Sequence, residues 1–237
     1  MNKRLLEFDY EGKNAKIVFA DEKIRTDKWV MKTEYFDAFP DTQNLLLERG
    51  INLAYIENET RWCKHEDILR KKRFADFLAD EYGFNKKFGI IGMSCGGLIG
   101  TKFAAEFPER ISVLYLDAPV LNLLSCPAGV GNAGNDMWNE FEGAMGISLS
   151  KLISYRENPI DKLDILVSSN IPVILVCGLS DNVVPYEENG EILYNFYKNN
   201  GGNVERYLKP GCGHHPHGLE DNKPIVDFMI KYLNINC

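Results

Sequence analysis

The chain has no apolar run close to the roughly 20 residues needed to span a bilayer. It also has no internal repeat, no low-complexity tract and no Pro- or Ser-rich linker. Positive charge is in deficit: 27 Lys and Arg stand against 34 Asp and Glu, a formal net charge of -7. A binder of phosphate backbones needs a basic face, so no nucleic-acid partner is expected. The balance leaves neutral and cationic small molecules open. Cysteine is sparse, at 63, 95, 126, 177, 212 and 237, with no CxxC spacing. A chain of this size needs no disulfide staples, so reduced thiols are expected. The start lacks the apolar stretch of a secretory signal, because Leu5 and Leu6 are followed by Glu7 and Asp9. The expectation is a cytoplasmic protein without membrane contact, in which the acceptor pattern Asn58-Glu59-Thr60 goes unused. Histidine is scarce, at 65, 214, 215 and 217 only.

What is present is an alternation of short β-rich runs with amphipathic stretches, the pattern of a mostly parallel sheet with crossover helices. Strands are expected over 16–20, 51–56, 88–91, 111–116, 172–176 and 204–208. Helices are expected over 42–49, 66–82, 98–107, 187–198 and 224–233. Residues 1–237 suit one α/β domain. Residues 120–169 break the rhythm, with Gly129, Gly131 and Gly134 ahead of Met137, Trp138, Phe141 and Met145. Such an insertion is expected to form a lid or pocket wall, mobile in its Gly-rich half and carrying an apolar stripe in the other.

Gly92-Met93-Ser94-Cys95-Gly96 is a G-x-S-x-G motif entered by a β-rich run and left by an amphipathic stretch. A serine nucleophile needs a sharp strand-to-helix turn that lifts its hydroxyl clear of the sheet. Side chains two residues away on either side would collide, so glycine is required there. The backbone N–H of Cys95 then opens the helix and faces any developing oxyanion. Cys95 itself is out of frame as nucleophile, because its own flanking position 93 is Met.

A serine hydroxyl at neutral pH needs a base, and the base needs an orienting acid. Asp181 follows the late strand 172–176, at the sheet's carboxyl edge where open α/β sheets keep their sites. Asp117, one strand earlier, competes for the role. The base belongs after the last strand, where Gly213-His214-His215-Pro216-His217 lies. His214, following Gly213, is the first choice; His215 and His217 are the alternatives. Clustered histidines also suggest zinc, but beyond Cys212 no acidic or thiol partner stands nearby in sequence. No metal and no cofactor are expected.

With these segments in place the chain resembles the α/β-hydrolase superfamily, in its prolyl-oligopeptidase-like and esterase branch. The resemblance rests on the stretch Gly178 to Pro185, on Asn158-Pro159-Ile160-Asp161 and on the elbow. It also resembles a bacterial group that pairs a Trp-containing segment, here 28–32, with Asp117-Ala118-Pro119-Val120 and the Gly-His-His-Pro-His loop. Members of that group often accompany genes for carbohydrate breakdown, which points toward sugar esters. The resemblance implies the α/β-hydrolase fold, with a mostly parallel central sheet flanked by helices and a small lid insertion. Relatives carry His-Gly after the third strand; here Ala20-Asp21-Glu22 is expected there, placing the second oxyanion donor between Asp21 and Lys23.

Three functions follow. One is a carboxylic ester hydrolase using Ser94, His214 and Asp181, with the Cys95 N–H at the oxyanion and a small-molecule ester as substrate. Another is a peptidase on the same machinery, which the lack of a propeller or second domain disfavours. The third is a non-catalytic binding module on the same fold, disfavoured by the intact triad pattern.

Overall fold

The computed structural model describes residues 3–233; Cys237 lies outside them. Its centre is an eight-stranded sheet in the order β1-β2-β4-β3-β5-β6-β7-β8. The strands are β1 Arg4–Tyr10, β2 Lys13–Phe19, β3 Trp29–Lys32, β4 Asn52–Ile56, β5 Phe88–Met93, β6 Ile111–Asp117, β7 Val173–Gly178 and β8 Val204–Lys209. β2 runs antiparallel to β1 and β4, and every pairing from β4 through β8 is parallel.

The sequence of each strand follows its place. β5 (Phe-Gly-Ile-Ile-Gly-Met) and β7 (Val-Ile-Leu-Val-Cys-Gly) are buried along their whole length. Parallel strands covered on both faces by crossover helices read as continuous apolar runs. β1 is an antiparallel edge and alternates exposed with half-buried positions. That alternation, with Leu5, Glu7 and Asp9 on the wet face, hides it from a search for apolar runs.

The helices are α1 Asp41–Glu48, α2 His65–Tyr82, α3 Cys95–Glu106, α4 Trp138–Met145, α5 Leu149–Ile153, α6 Leu163–Ser168, α7 Gly190–Asn199 and α8 Lys223–Leu233. α1 and α8 close one face over a core that includes Leu46, Val113, Ile225 and Met229. α2, α3, α6 and α7 close the other over a larger core with Trp29, Phe74, Phe103 and Leu166. Trp29 stacks on Phe88 with ring centroids 4.2 Å apart and donates its indole N–H to the Asn85 carbonyl at 2.8 Å. Among the described residues no helix is long and apolar enough to cross a membrane.

The expected α/β-hydrolase architecture is present, and two strands go beyond the expectation. β1 is one. β3 is the other, a four-residue strand between β4 and β5. Its presence moves the loop after the third strand from Ala20-Asp21-Glu22, which follows β2, to Thr33-Glu34-Tyr35.

Between β6 and β7 the chain makes the excursion containing α4, α5 and α6. Its Gly-rich half is tied down rather than free. Glu188 accepts from Ser125 Oγ at 2.5 Å and from the Asn132 N–H at 2.6 Å, and Gly134 N–H donates to the Asn182 carbonyl at 3.2 Å. Asn158 and Asp161 form a reciprocal cap, and Asn158 Oδ1 also accepts from the Leu123 N–H at 3.1 Å. Backbone groups here replace the side-chain packing that glycines lack.

Candidate active site

Ser94 sits between β5 and α3 at φ 52° and ψ -121°, a conformation that non-glycine residues rarely adopt. Its surroundings enforce the turn. Ser94 N–H donates to the Asp117 carbonyl at 2.9 Å, and its own carbonyl accepts from Gly97 and Val120. A Cβ on Gly92 would lie 2.8 Å from the Gly96 carbonyl oxygen, and one on Gly97 would lie 2.3 Å from Pro119 Cβ. Both positions therefore exclude any side chain.

The structure brings the three sequence-predicted residues together. His214 Nε2 lies 3.0 Å from Ser94 Oγ, and His214 Nδ1 lies 2.7 Å from Asp181 Oδ2. The other carboxylate oxygen of Asp181 accepts from the N–H groups of Val183 and Val184, both at 2.9 Å. Asp181 thus orders its own turn while turning one oxygen to the imidazole. The loops that carry acid and base touch directly: Ser180 N–H donates to the Cys212 carbonyl at 2.8 Å.

Asp117, the competing acid, is also paired with a histidine, but a different one. Its Oδ1 lies 2.8 Å from His217 Nδ1, and its Oδ2 accepts from Gly218 N–H and the Tyr115 hydroxyl, both at 2.7 Å. Two Asp–His pairs therefore lie side by side, with the His214 and His217 rings 5.2 Å apart. His215 is exposed and stacks on Phe39. The burial it does have lowers its pKa, and the neighbouring His214 and His217 add to that.

Cys95 opens α3. Its thiol is buried, and desolvation pushes its pKa up to about 11. A thiol held protonated there is a poor nucleophile, in line with the frame that favours Ser94. The residue's contribution is its position at the helix N-terminus.

Beside Ser94 is a cavity of about 370 Å³, lined among others by Tyr35, Phe39, Arg61, Met137, Val183 and His215. Tyr35, from the loop after β3, has φ 53°. Among the described residues its backbone N–H donates to no backbone acceptor. Burial raises the pKa of its hydroxyl, which also interacts with Arg61 and the Cys95 thiol. The loop is braced from below. Asn58 Nδ2 donates to the Thr33 carbonyl at 2.8 Å, and Thr33 Oγ1 donates to the Gly96 carbonyl at 2.6 Å. Asn58 is therefore committed to the support of this loop.

Arg61 was not singled out from the sequence. Its Nε donates to Glu140 Oε1 at 2.8 Å, its second nitrogen reaches Glu140 Oε2, and the Trp62 indole N–H meets Oε1 at 3.0 Å. These contacts tie the loop after β4 to α4. Of the apolar stripe expected on α4 and just before it, only Met137 lines this cavity. Phe141 is fully buried, edge-on to Trp62 with ring centroids 5.5 Å apart, and Trp138 packs on Phe141. Trp62 and Tyr186 are likewise buried and offer no open face to a ligand.

Sheet order, elbow and loop positions define an α/β-hydrolase, the class of the serine hydrolases. The chain belongs to the prolyl oligopeptidase family, whose model matches residues 66–236. That match takes in Ser94, Asp181 and His214 and leaves out the loop after β3. Among solved structures the fold is similar to a puromycin-hydrolyzing peptidase of Mycobacterium tuberculosis, with TM-score 0.73 and 16% identity over 98% of this chain and 38% of that one. It is also similar to MPT51 (FbpC1) of Mycobacterium tuberculosis, with TM-score 0.71 and 16% identity over 99% of this chain and 100% of that one. A truncated carbohydrate esterase from gut microbiota matches with TM-score 0.70 and 16% identity over 94% and 91%. The chain spans 36–38% of the length of the peptidase structures it matches. No curated protein matches it.

Proposed function

We propose that this protein hydrolyses a small carboxylic ester through Ser94, His214 and Asp181. The observation that carries the reading is the continuous contact from Ser94 Oγ through both imidazole nitrogens to Asp181, at 3.0 and 2.7 Å. Ser94 Oγ attacks the ester carbonyl while His214 Nε2 takes its proton. Asp181 accepts from Nδ1–H, which fixes the tautomer and favours the imidazolium that forms. The oxyanion is met by the Cys95 N–H at the start of α3 and by the Tyr35 N–H of the loop after β3. His214 returns the proton to the leaving alcohol, and water then clears the acyl-enzyme by the same route in reverse.

The cavity favours an ester over a peptide with a free N-terminus. Of its lining residues only Arg61 and the histidines carry or can take charge, and none is a carboxylate that would hold an α-ammonium. A volume of about 370 Å³ suits a short acyl group with part of a compact alcohol. A carbohydrate esterase of similar fold and extent is consistent with a sugar as that alcohol.

The test is a substrate panel at pH 7.5: p-nitrophenyl esters from two to twelve carbons, acetylated sugars, and aminoacyl and dipeptidyl anilides. Short-chain esters turn over fastest, with kcat/KM falling as the acyl chain outgrows the cavity. Faster cleavage of the anilides overturns the ester reading in favour of a peptidase.

A further inference from the structure

His214, His215 and His217 each offer one ring nitrogen, and these three atoms lie within 4.8 Å of one another. In sequence the cluster lacks an acidic neighbour; the fold supplies two. Asp181 engages Nδ1 of His214 and Asp117 engages Nδ1 of His217. A carboxylate on one imidazole nitrogen is the usual outer partner of a metal-binding histidine, because it fixes the proton there and leaves Nε2 with its lone pair. The side chains of His214 and His217 are 9% and 3% exposed, whereas His215 is open to solvent. Two nitrogens are thus preset in a shielded wall and the third stands at its mouth.

We infer that these three histidines form a site for Zn²⁺ that inhibits the enzyme by occupying His214 Nε2. Tetrahedral Zn–N bonds of about 2.0–2.1 Å set ligand nitrogens roughly 3.4 Å apart. The present spacing, at most 4.8 Å, therefore has to close by up to about 1.4 Å across the three rings. The two buried carboxylates offset the charge of the bound ion through the imidazoles, and water takes the fourth position. Of the nearby cations, Arg61 is already paired with Glu140, and Lys209 is held by the Pro216 and Gly218 carbonyls. Because Nε2 of His214 is also the atom that meets Ser94 Oγ, the metal and the serine proton compete for one lone pair. The inhibition rests on the triad reading above; the binding does not.

The test is calorimetric titration of the metal-stripped full chain with Zn²⁺, with ester turnover measured in parallel. Wild type binds one ion. His215→Ala, at an exposed position, weakens binding at least ~10-fold, the scale seen when a metal site loses an ordering partner. Ser94→Ala binds equally or more tightly, because the competing hydroxyl is gone. Cys212→Ala binds as wild type does. Unchanged affinity in His215→Ala, loss of binding in Cys212→Ala, or no binding by wild type overturns the site. Binding with the expected pattern but no ester turnover in the metal-free protein leaves the site standing and removes the hydrolase reading. Binding with turnover that persists at saturating Zn²⁺ overturns the inhibitory role.

Discussion

Replacing each of the two buried aspartates by asparagine separates the proposed catalytic acid, Asp181, from Asp117. In Asp181→Asn the amide oxygen is held by the N–H groups of Val183 and Val184, so the NH₂ group turns toward His214. Nδ1 must then accept, the proton moves to Nε2, and the imidazole no longer takes the Ser94 proton. A wrong-tautomer base costs on the order of 10⁴ in kcat. The fold loses little, because the turn keeps its acceptor. Asp117→Asn behaves differently. Asp117 is 1% exposed and accepts from His217, Gly218 and Tyr115. Its amide is best placed with oxygen on Gly218 and Tyr115 and NH₂ on a His217 that has switched tautomer. Three bonds to a charged acceptor become neutral ones, at about 1 kcal/mol each, so stability falls by about 3 kcal/mol. For a domain of this size that lowers Tm by roughly 6–12 °C. Circular dichroism melts and p-nitrophenyl acetate hydrolysis at 25 °C read both quantities. Asp117→Asn is expected to keep activity within about tenfold of wild type, on the view that it touches no reacting atom. A fall in kcat near 10⁴ in Asp117→Asn with wild-type Tm, or Asp181→Asn within tenfold of wild type, refutes the assignment.

Lys71 is 1% exposed, and burial pushes its pKa down to about 8 from 10.5. Between those values the unfolded chain holds a proton that the folded one has released. Wild-type stability relative to Lys71→Met therefore rises with pH across that window, by up to about 3 kcal/mol; urea melts at pH 7, 9 and 10.5 that show a constant difference contradict it. The thiols of Cys63 and Cys95 are raised to about 11 by burial, and those of Cys126 and Cys177 are raised further by the same cause. In a Cys237→Ser background at pH 8, Ellman's reagent is expected to label Cys212 quickly and the other four only after unfolding; rapid labelling of Cys95 contradicts its placement.

The central strands and their helices were legible because burial on both faces leaves unbroken apolar runs such as Ile90-Ile91 and Val173-Ile174-Leu175-Val176. β1 and β3 were not. β1 is half wet and interleaved with charge, and β3 has four residues ending in Lys32, a lysine buried through a bond to the Ala38 carbonyl. Missing them misplaced the loop after the third strand, and with it the stretch where a second oxyanion donor is sought, from 21–23 to 33–35. The meeting of Ser94, Asp181 and His214 was legible because each follows a recognisable strand and the chemistry dictates their chain order. The pairing of Asp117 with His217 was not legible, since nothing local ties residues 100 positions apart. Arg61 and Glu140 are 79 positions apart, and each reads alone as an ordinary surface charge. The expected wall on α4 was half legible: helical spacing places Met137, Trp138 and Phe141 together, but only the packing shows that Phe141 turns to Trp62 and leaves Met137 at the cavity.

The most direct test of the central claim is the site of covalent labelling by a fluorophosphonate, read by mass spectrometry of the digested protein. The strained turn at Ser94, with His214 Nε2 at 3.0 Å, predicts one stoichiometric adduct on Ser94. Ser94→Ala then abolishes the adduct and lowers ester turnover by several orders of magnitude at unchanged Tm. An adduct on another residue, or a Ser94→Ala protein that turns over esters at near the wild-type rate, contradicts the account.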